Sequence, residues 1–341
     1  MPDSRIVTPD FHFVMCARAV KDGKFIAEPG DTKFLRVPRT PESEELNPSP
    51  SHAAKSKKDI DKWFLELREA AAEGQKSYGN ILVFIHGYNN KSEDFMKRHR
   101  QLESDLKAAG YKGAVLTFDW PSDDKGLNYL EDRHDAKKTA MQLMTDGIRA
   151  LSEQQKPDCT INIHLLGHST GAYVIREAFD DADDSNLMNN SWSVSQIVLI
   201  GGDVSSSSMS ESDGHHSSNS LYRHCVRLTN YSNLHDSVLT LSNVKRLGVA
   251  PRVGRVGLPD DAPGKAVDVD CTDYFGLLDP KDSSVRKKEQ KAEIGTFCHS
   301  WHIGNTRFAS DLAATLKGDL DRSVIPTREK GADGKLRLKT P

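Results

Sequence analysis

The chain has 341 residues, 37% of them hydrophobic, enough for one large α/β domain or two small ones around a substantial core. Its 46 Lys and Arg nearly balance 49 Asp and Glu, and a net charge of -3 gives no electrostatic footprint for nucleic acid or an anionic membrane. The five cysteines (Cys16, Cys159, Cys225, Cys271, Cys298) are scattered, odd in number and lack C-x-x-C spacing, which argues against a disulfide framework or structural zinc and for a reducing cytoplasm. No transmembrane segment is expected, because nowhere do about 18 apolar residues run together. Residues 1–20 also lack a basic start followed by an apolar run. Export by a signal-independent route would leave no such trace.

In chain order, extended stretches are predicted around 11–16 and 24–27, followed by a Pro/Ser/Glu-rich segment at 38–54 that reads as a surface linker. Residues 1–55 are therefore expected as an N-terminal extension packed on or beside the core. Ile60, Trp63, Phe64, Leu67 and Ala71 recur at helical spacing. The short apolar run at 80–85 predicts a strand covered on both faces. Ser92 caps a helix carrying Phe95, Met96, Leu102 and Leu106, and 114–118 predicts the next strand. Asn128 with Glu131 opens a long helix bearing Ala140, Leu143, Met144, Ile148 and Leu151. Strands follow at 161–167, 196–200, 225–229 and 266–269, with helices at 170–179 and 306–316. Strands alternating with helices imply an α/β fold, a mostly parallel sheet with helices on both faces whose ligands bind beyond the carboxyl ends of the strands. One domain spans 56–317, with loop insertions near 203–220 and 279–293, and 318–341 reads as a polar, poorly ordered tail.

Gly167-His168-Ser169-Thr170-Gly171 closes a buried strand and is followed at once by a helix-forming stretch. Such a turn strains the serine so that its oxygen is exposed, and the flanking glycines let strand and helix approach. A serine hydroxyl needs a base, an acid that orients the base, and N–H donors for an oxyanion. In this build the chain order is Ser, acid, His. Asp236 follows the strand at 225–229 and His299 follows the strand at 266–269, so the order fits. Asp203 competes with Asp236 as the acid, and His302 with His299 as the base. The strand at 80–85 ends in His86-Gly87-Tyr88-Asn89, which supplies the Tyr88 N–H beside that of Thr170 as an oxyanion hole. His86 and His168 read as bracing groups, and Asp236 also fits as a helix cap.

At these residues the chain resembles the α/β-hydrolases, and within them a bacterial group of unknown function, DUF900. The likeness rests on His86-Gly-Tyr-Asn89, Trp120-Pro-Ser122, Gly167-His-Ser-Thr-Gly171, Asp236, Arg246-Leu-Gly248, Val267-Asp-Val269 and His299-Ser-Trp301. It covers roughly residues 80–310. It implies a hydrolase sheet of about eight strands, a Ser169/Asp236/His299 triad and an esterase-like activity, with no substrate named. The expected substrate is a small-molecule or lipid acyl ester. Acyl transfer on the same site, or a non-catalytic binding protein on this scaffold, are the alternatives. No cofactor or metal is expected, since no P-loop, G-x-G-x-x-G or H-E-x-x-H occurs, and His215 and His216 near Asp213 read as a solvated loop. The basic runs at 55–58 and 286–291 read as solvated surface. No nucleic-acid partner is expected, and nothing points to a protein partner.

Overall fold

The computed structural model describes residues 9–40, 46–49, 53–72, 78–88, 92–122, 129–153, 160–184, 192–212, 217–244 and 251–341. The strands are β1 (Phe11–Lys21), β2 (Lys24–Pro38), β3 (Tyr78–Ile85), β4 (Ala114–Asp119), β5 (Thr160–His168), β6 (Val194–Ile200), β7 (Cys225–Ser232), β8 (Ala266–Asp270), β9 (Arg328–Lys330) and β10 (Leu336–Leu338). They form one sheet in the order β2-β1-β4-β3-β5-β6-β7-β8-β10-β9. Every pairing from β1 to β10 across the middle is parallel, and β2 and β9 close the two edges in antiparallel.

The apolar runs are continuous because both faces are covered. Ile81, Val83 and Ile85 enter one core cluster with Trp63, Leu67, Leu143 and Val174, whereas Leu82 and Phe84 enter the other with Leu102, Leu106, Phe308 and Leu312. Helices Lys57–Ala72 and Thr170–Asp184 thus cover one face, and Ser92–Ala108 and Thr306–Lys317 the other. The long helix predicted after Asn128 begins at Tyr129, winds as a π-helical stretch over Leu143–Arg149 and resumes at Ala150. The wider turn brings Gln142 Nε2 to Gly30 O (2.9 Å) and Asp146 Oδ2 to Thr32 Oγ1 (2.6 Å), docking β2.

Two sequence expectations need correction. The N-terminal residues do not lie beside the core but form part of the sheet: β1 pairs with β4 through Met15 and Phe118, and Val14, Met15, Cys16 and Ala17 are buried. Between β1 and β2, Asp22 (φ 51°) and Gly23 (φ 74°) make the two-residue turn that such a pair favours. Within the expected linker, Leu46 is buried and Ala53 bridges to Leu35.

The segment after Gly318 is likewise ordered, because its charges are satisfied inside. Asp311 Oδ1 accepts from Arg328 Nη2 (2.6 Å) and from the Tyr231 hydroxyl (2.6 Å), and Asp311 Oδ2 accepts from Thr327 (2.5 Å). Arg328 and Asp311 are fully enclosed, and Ile325 and Leu338 are buried with them. Arg328→Met is expected to lower the unfolding free energy by about 3–5 kcal/mol, since it strands a buried carboxylate. A urea denaturation shift below about 1 kcal/mol would show that the hairpin contributes little.

Candidate active site

β5 ends at His168 and a helix starts at Thr170, leaving Ser169 alone at the turn with φ 55°. Left-handed backbone at a non-glycine residue costs roughly 1–2 kcal/mol and persists only where neighbours over-determine it. Here the Ser169 N–H donates to Ile200 O (3.1 Å), while Ser169 O accepts from Ala172 N (3.1 Å) and Asp203 N (3.0 Å). The helix seats deeply because residue 171 has no side chain: a Cβ there would lie 2.1 Å from Ile85 O. Thr170, the first helical residue, has an N–H without an intrahelical acceptor.

Asp236 stands at the end of the loop after β7. Its Oδ1 accepts from Leu239 N (3.2 Å), capping helix Ser237–Val244, and its Oδ2 lies 2.7 Å from His299 Nδ1. One carboxylate therefore serves as helix cap and as histidine partner. Both residues are buried. The His299 ring lies over Gly201, the residue after the Ile200 carbonyl that holds Ser169, and His299 O takes a hydrogen bond from His168 Nε2 (3.2 Å). Among the described residues Ser169 Oγ forms no hydrogen bond with His299.

The third component follows β3. Gly87 approaches the elbow so closely that a Cβ there would lie 2.6 Å from Ser169 Cβ. His86 is fully buried between Phe95 (centroids 5.0 Å) and Trp120 (5.6 Å). Its Nδ1 is 2.8 Å from Gly87 O and its Nε2 3.0 Å from Asp119 Oδ1, while Trp120 Nε1 donates to His86 O (2.8 Å). Tyr88, half-buried, comes next.

With this geometry in place, a family model described as an alpha/beta hydrolase of unknown function, DUF900, matches residues 66–266, more than half of the chain. The chain belongs to the DUF900 α/β-hydrolases. Among solved structures it is similar to an esterase from Pyrobaculum calidifontis (13% identity, 72% of this chain and 78% of that one, TM-score 0.35). It is also similar to an inhibited esterase B from Lactobacillus rhamnosis (10% identity, 92% and 88%, TM-score 0.39). A third is lipase B from Aspergillus fumigatus (12% identity, 85% and 66%, TM-score 0.40). No curated protein matches. The family match takes in Tyr88, Ser169, Thr170 and Asp236 of this DUF900 hydrolase and stops short of His299. Among its described residues, no helix is long and apolar enough to cross a membrane.

The competing residues of the hydrolase have other side-chain partners. The Asp203 carboxylate faces Arg252 (3.0 Å), and its backbone N–H holds the elbow. His302 stacks on Trp301 (4.1 Å) against Phe308, with neither ring nitrogen hydrogen-bonded among the described residues, and burial keeps its pKa well below the ordinary histidine value. Cys298 is a free, half-buried thiol 3.3 Å from Ser237 Oγ. The expected solvated run at 286–291 is corrected at Arg286, which is buried over the Phe297 ring (3.7 Å) and paired with Glu293 (2.7 Å). Asn89, His215, His216 and Arg246 to Gly248 fall outside the described residues.

Among the described residues, one group has metal-ligating types: His12, His99 and Glu103, all buried. Its carboxylate is already saturated, by the two arms of Arg39 (2.7 and 2.9 Å), Lys107 (3.1 Å) and His12 (3.1 Å), so a cation would have to displace Arg39. The cluster is an ion-pair hub that ties β1 to helix Ser92–Ala108. Burial, with His12 adding to it, pulls His99 down to about 3.

Behind the Asp236 loop, Asp268 accepts from Asn230 (2.5 Å) and Ser232 (2.7 Å), yet burial pushes its pKa up to about 6. Between the unfolded carboxylate value near 4 and about 6, the folded state binds the extra proton. This group's contribution to stability is therefore greatest below that window and declines as pH rises through it. Carboxyl-carbon NMR should show an aspartate titrating near pH 6 that disappears in Asp268→Asn, and a midpoint near 4 would contradict it.

Proposed function

We propose that this hydrolase cleaves carboxylic ester bonds by nucleophilic catalysis at Ser169. The observation that carries the reading is the 2.7 Å Asp236–His299 pair beside a serine held at φ 55° between strand and helix. His299, its Nδ1–H directed to Asp236, uses Nε2 to take the Ser169 proton as Oγ attacks the acyl carbon. The N–H groups of Tyr88 and Thr170 receive the negative charge that develops on the carbonyl oxygen. His299 then protonates the departing alcohol, and a water activated by the same ring releases the acyl group from Ser169. The substrate class is a small-molecule or lipid acyl ester, and the paired buried carboxylate supports catalysis over a binding scaffold that has lost its chemistry.

A fluorophosphonate probe should label the wild-type protein at a single residue, Ser169, with one equivalent bound per chain. Folded protein that takes up no probe would sink the proposal.

A further inference from the structure

Two consecutive peptide units of the oxyanion loop are held from behind by side chains. Trp120 Nε1 fixes the His86 carbonyl at 2.8 Å, and His86 Nδ1 fixes the Gly87 carbonyl at 2.8 Å. The second bond matters most, because Gly87 O and the Tyr88 N–H belong to one planar trans unit and point in opposite directions. A ring that secures this carbonyl on its own side turns the Tyr88 N–H away from itself.

The ring in turn is set by Asp119, whose Oδ1 lies 3.0 Å from His86 Nε2. Asp119 is gripped by Arg18 Nε at 2.9 and 3.0 Å and by the Cys16 thiol at 2.9 Å. Arg18 Nη2 also donates to Trp120 O (3.1 Å) and Nη1 to Ser122 O (3.4 Å), so one guanidinium supports both arms of the brace. Asp119 and His86 are entirely enclosed and Arg18 nearly so. Burial alone would raise the Asp119 carboxyl, but Arg18, His86 and Cys16 hold it below the usual carboxylate range. Burial lowers the His86 pKa below the ordinary histidine value, and the Asp119 carboxylate works against that shift. A ring with protons on both nitrogens donates to the Asp119 carboxylate and the Gly87 carbonyl together, so Asp119 is the group that favours the second proton.

We infer that Arg18, Asp119 and His86 form a positioning relay that sets the Gly87–Tyr88 peptide plane and so aims the first oxyanion donor. The relay rests on the serine-hydrolase reading above. Arg18 and Cys16 lie on β1, outside the family-matched residues 66–266. The N-terminal strand thereby takes part in the chemistry of the site through Asp119, 101 positions along the chain from Arg18. These are positioning residues, acting on the reaction through a backbone N–H.

The test uses the full chain and Arg18→Met, Arg18→Lys and His86→Leu. Turnover of p-nitrophenyl butyrate is measured per fluorophosphonate-titrated serine, together with affinity for a trifluoromethyl ketone, which adds to serine to give a tetrahedral oxyanion. Arg18→Met and His86→Leu should lower kcat per titrated serine on the order of 100-fold, with KM within about twofold. They should weaken the ketone by a similar factor, and Arg18→Lys should recover part of the loss. Fewer titratable serines with unchanged turnover and ketone affinity per serine would overturn the relay, leaving Arg18 a folding role alone. If Arg18→Met does not fold, His86→Leu and Arg18→Lys are read on the same two quantities. A wild type that is not titrated removes the serine-hydrolase reading and the relay with it, whereas a titrated wild type with unaltered variants removes the relay only.

Discussion

Ser169→Ala should lower ester hydrolysis by a factor on the order of 10⁴–10⁶ and abolish fluorophosphonate labelling, while the protein remains folded. The size follows from the role proposed for the oxygen, since His299 and the N–H donors cannot act on an acyl carbon that nothing attacks covalently. Stability should hardly change, because the turn is fixed through backbone bonds to Ile200, Ala172 and Asp203 that alanine retains. Ser169→Gly separates the two effects: it should be equally inactive but more stable by about 1 kcal/mol, as glycine meets no Cβ penalty at φ 55°. Initial-rate assays alongside thermal unfolding decide the matter. Activity in Ser169→Ala within tenfold of wild type would move the chemistry to another group.

Gly171→Ala is the second large effect, and it is expected in the fold. The added carbon would meet Ile85 O at 2.1 Å and His86 O at 2.7 Å. Both obstacles are main-chain atoms of the strand end that leads into Gly87 and Tyr88, so no side chain can rotate aside. The helix has to lift off β3, which should cost more than about 3 kcal/mol or prevent accumulation of soluble protein. Gly276→Ala is the matched control, because nothing lies within 4 Å of its added carbon and the residue sits inside helix Thr272–Leu278. It should gain about 0.5–1 kcal/mol. Equal melting behaviour of Gly171→Ala and wild type would show that the elbow helix is not seated as described.

The middle of the sheet is legible in the sequence because burial on both faces writes continuous apolar runs, as at Ile81 to Ile85 and Ile197 to Ile200. The elbow is legible for a different reason, since the strained turn demands glycine at fixed offsets around Ser169. The order of Asp236 and His299 can be read, and the strand-end position and the His299-Ser-Trp301 run favour them over Asp203 and His302, but their contact cannot be read, as it joins side chains 63 residues apart. The rivals' surroundings are legible only in the fold: Asp203 meets Arg252, and His302 is sealed against Trp301. Charged residues mislead most. Arg286 falls in a run that reads as solvated and Arg328 in a stretch that reads as a polar tail, because charge composition does not show which acid an arginine meets in the interior. Asp119, one residue before the Trp120-Pro-Ser122 run, offers the one local signal, an acid closing a wholly buried strand.

The sheet's pairing pattern also bears on how the chain reaches its native state. Pairing in the parallel run unites distant segments, such as Phe13 with Leu116 and Val83 with Leu165, and each such closure must organise a long loop before it returns any burial. The two antiparallel pairs, β1 with β2 and β9 with β10, are local, and local hairpins form in roughly 1–10 μs. Both sit at the margins of the sheet. The borders can thus be assembled before the interior, while the slow central pairings are still being found.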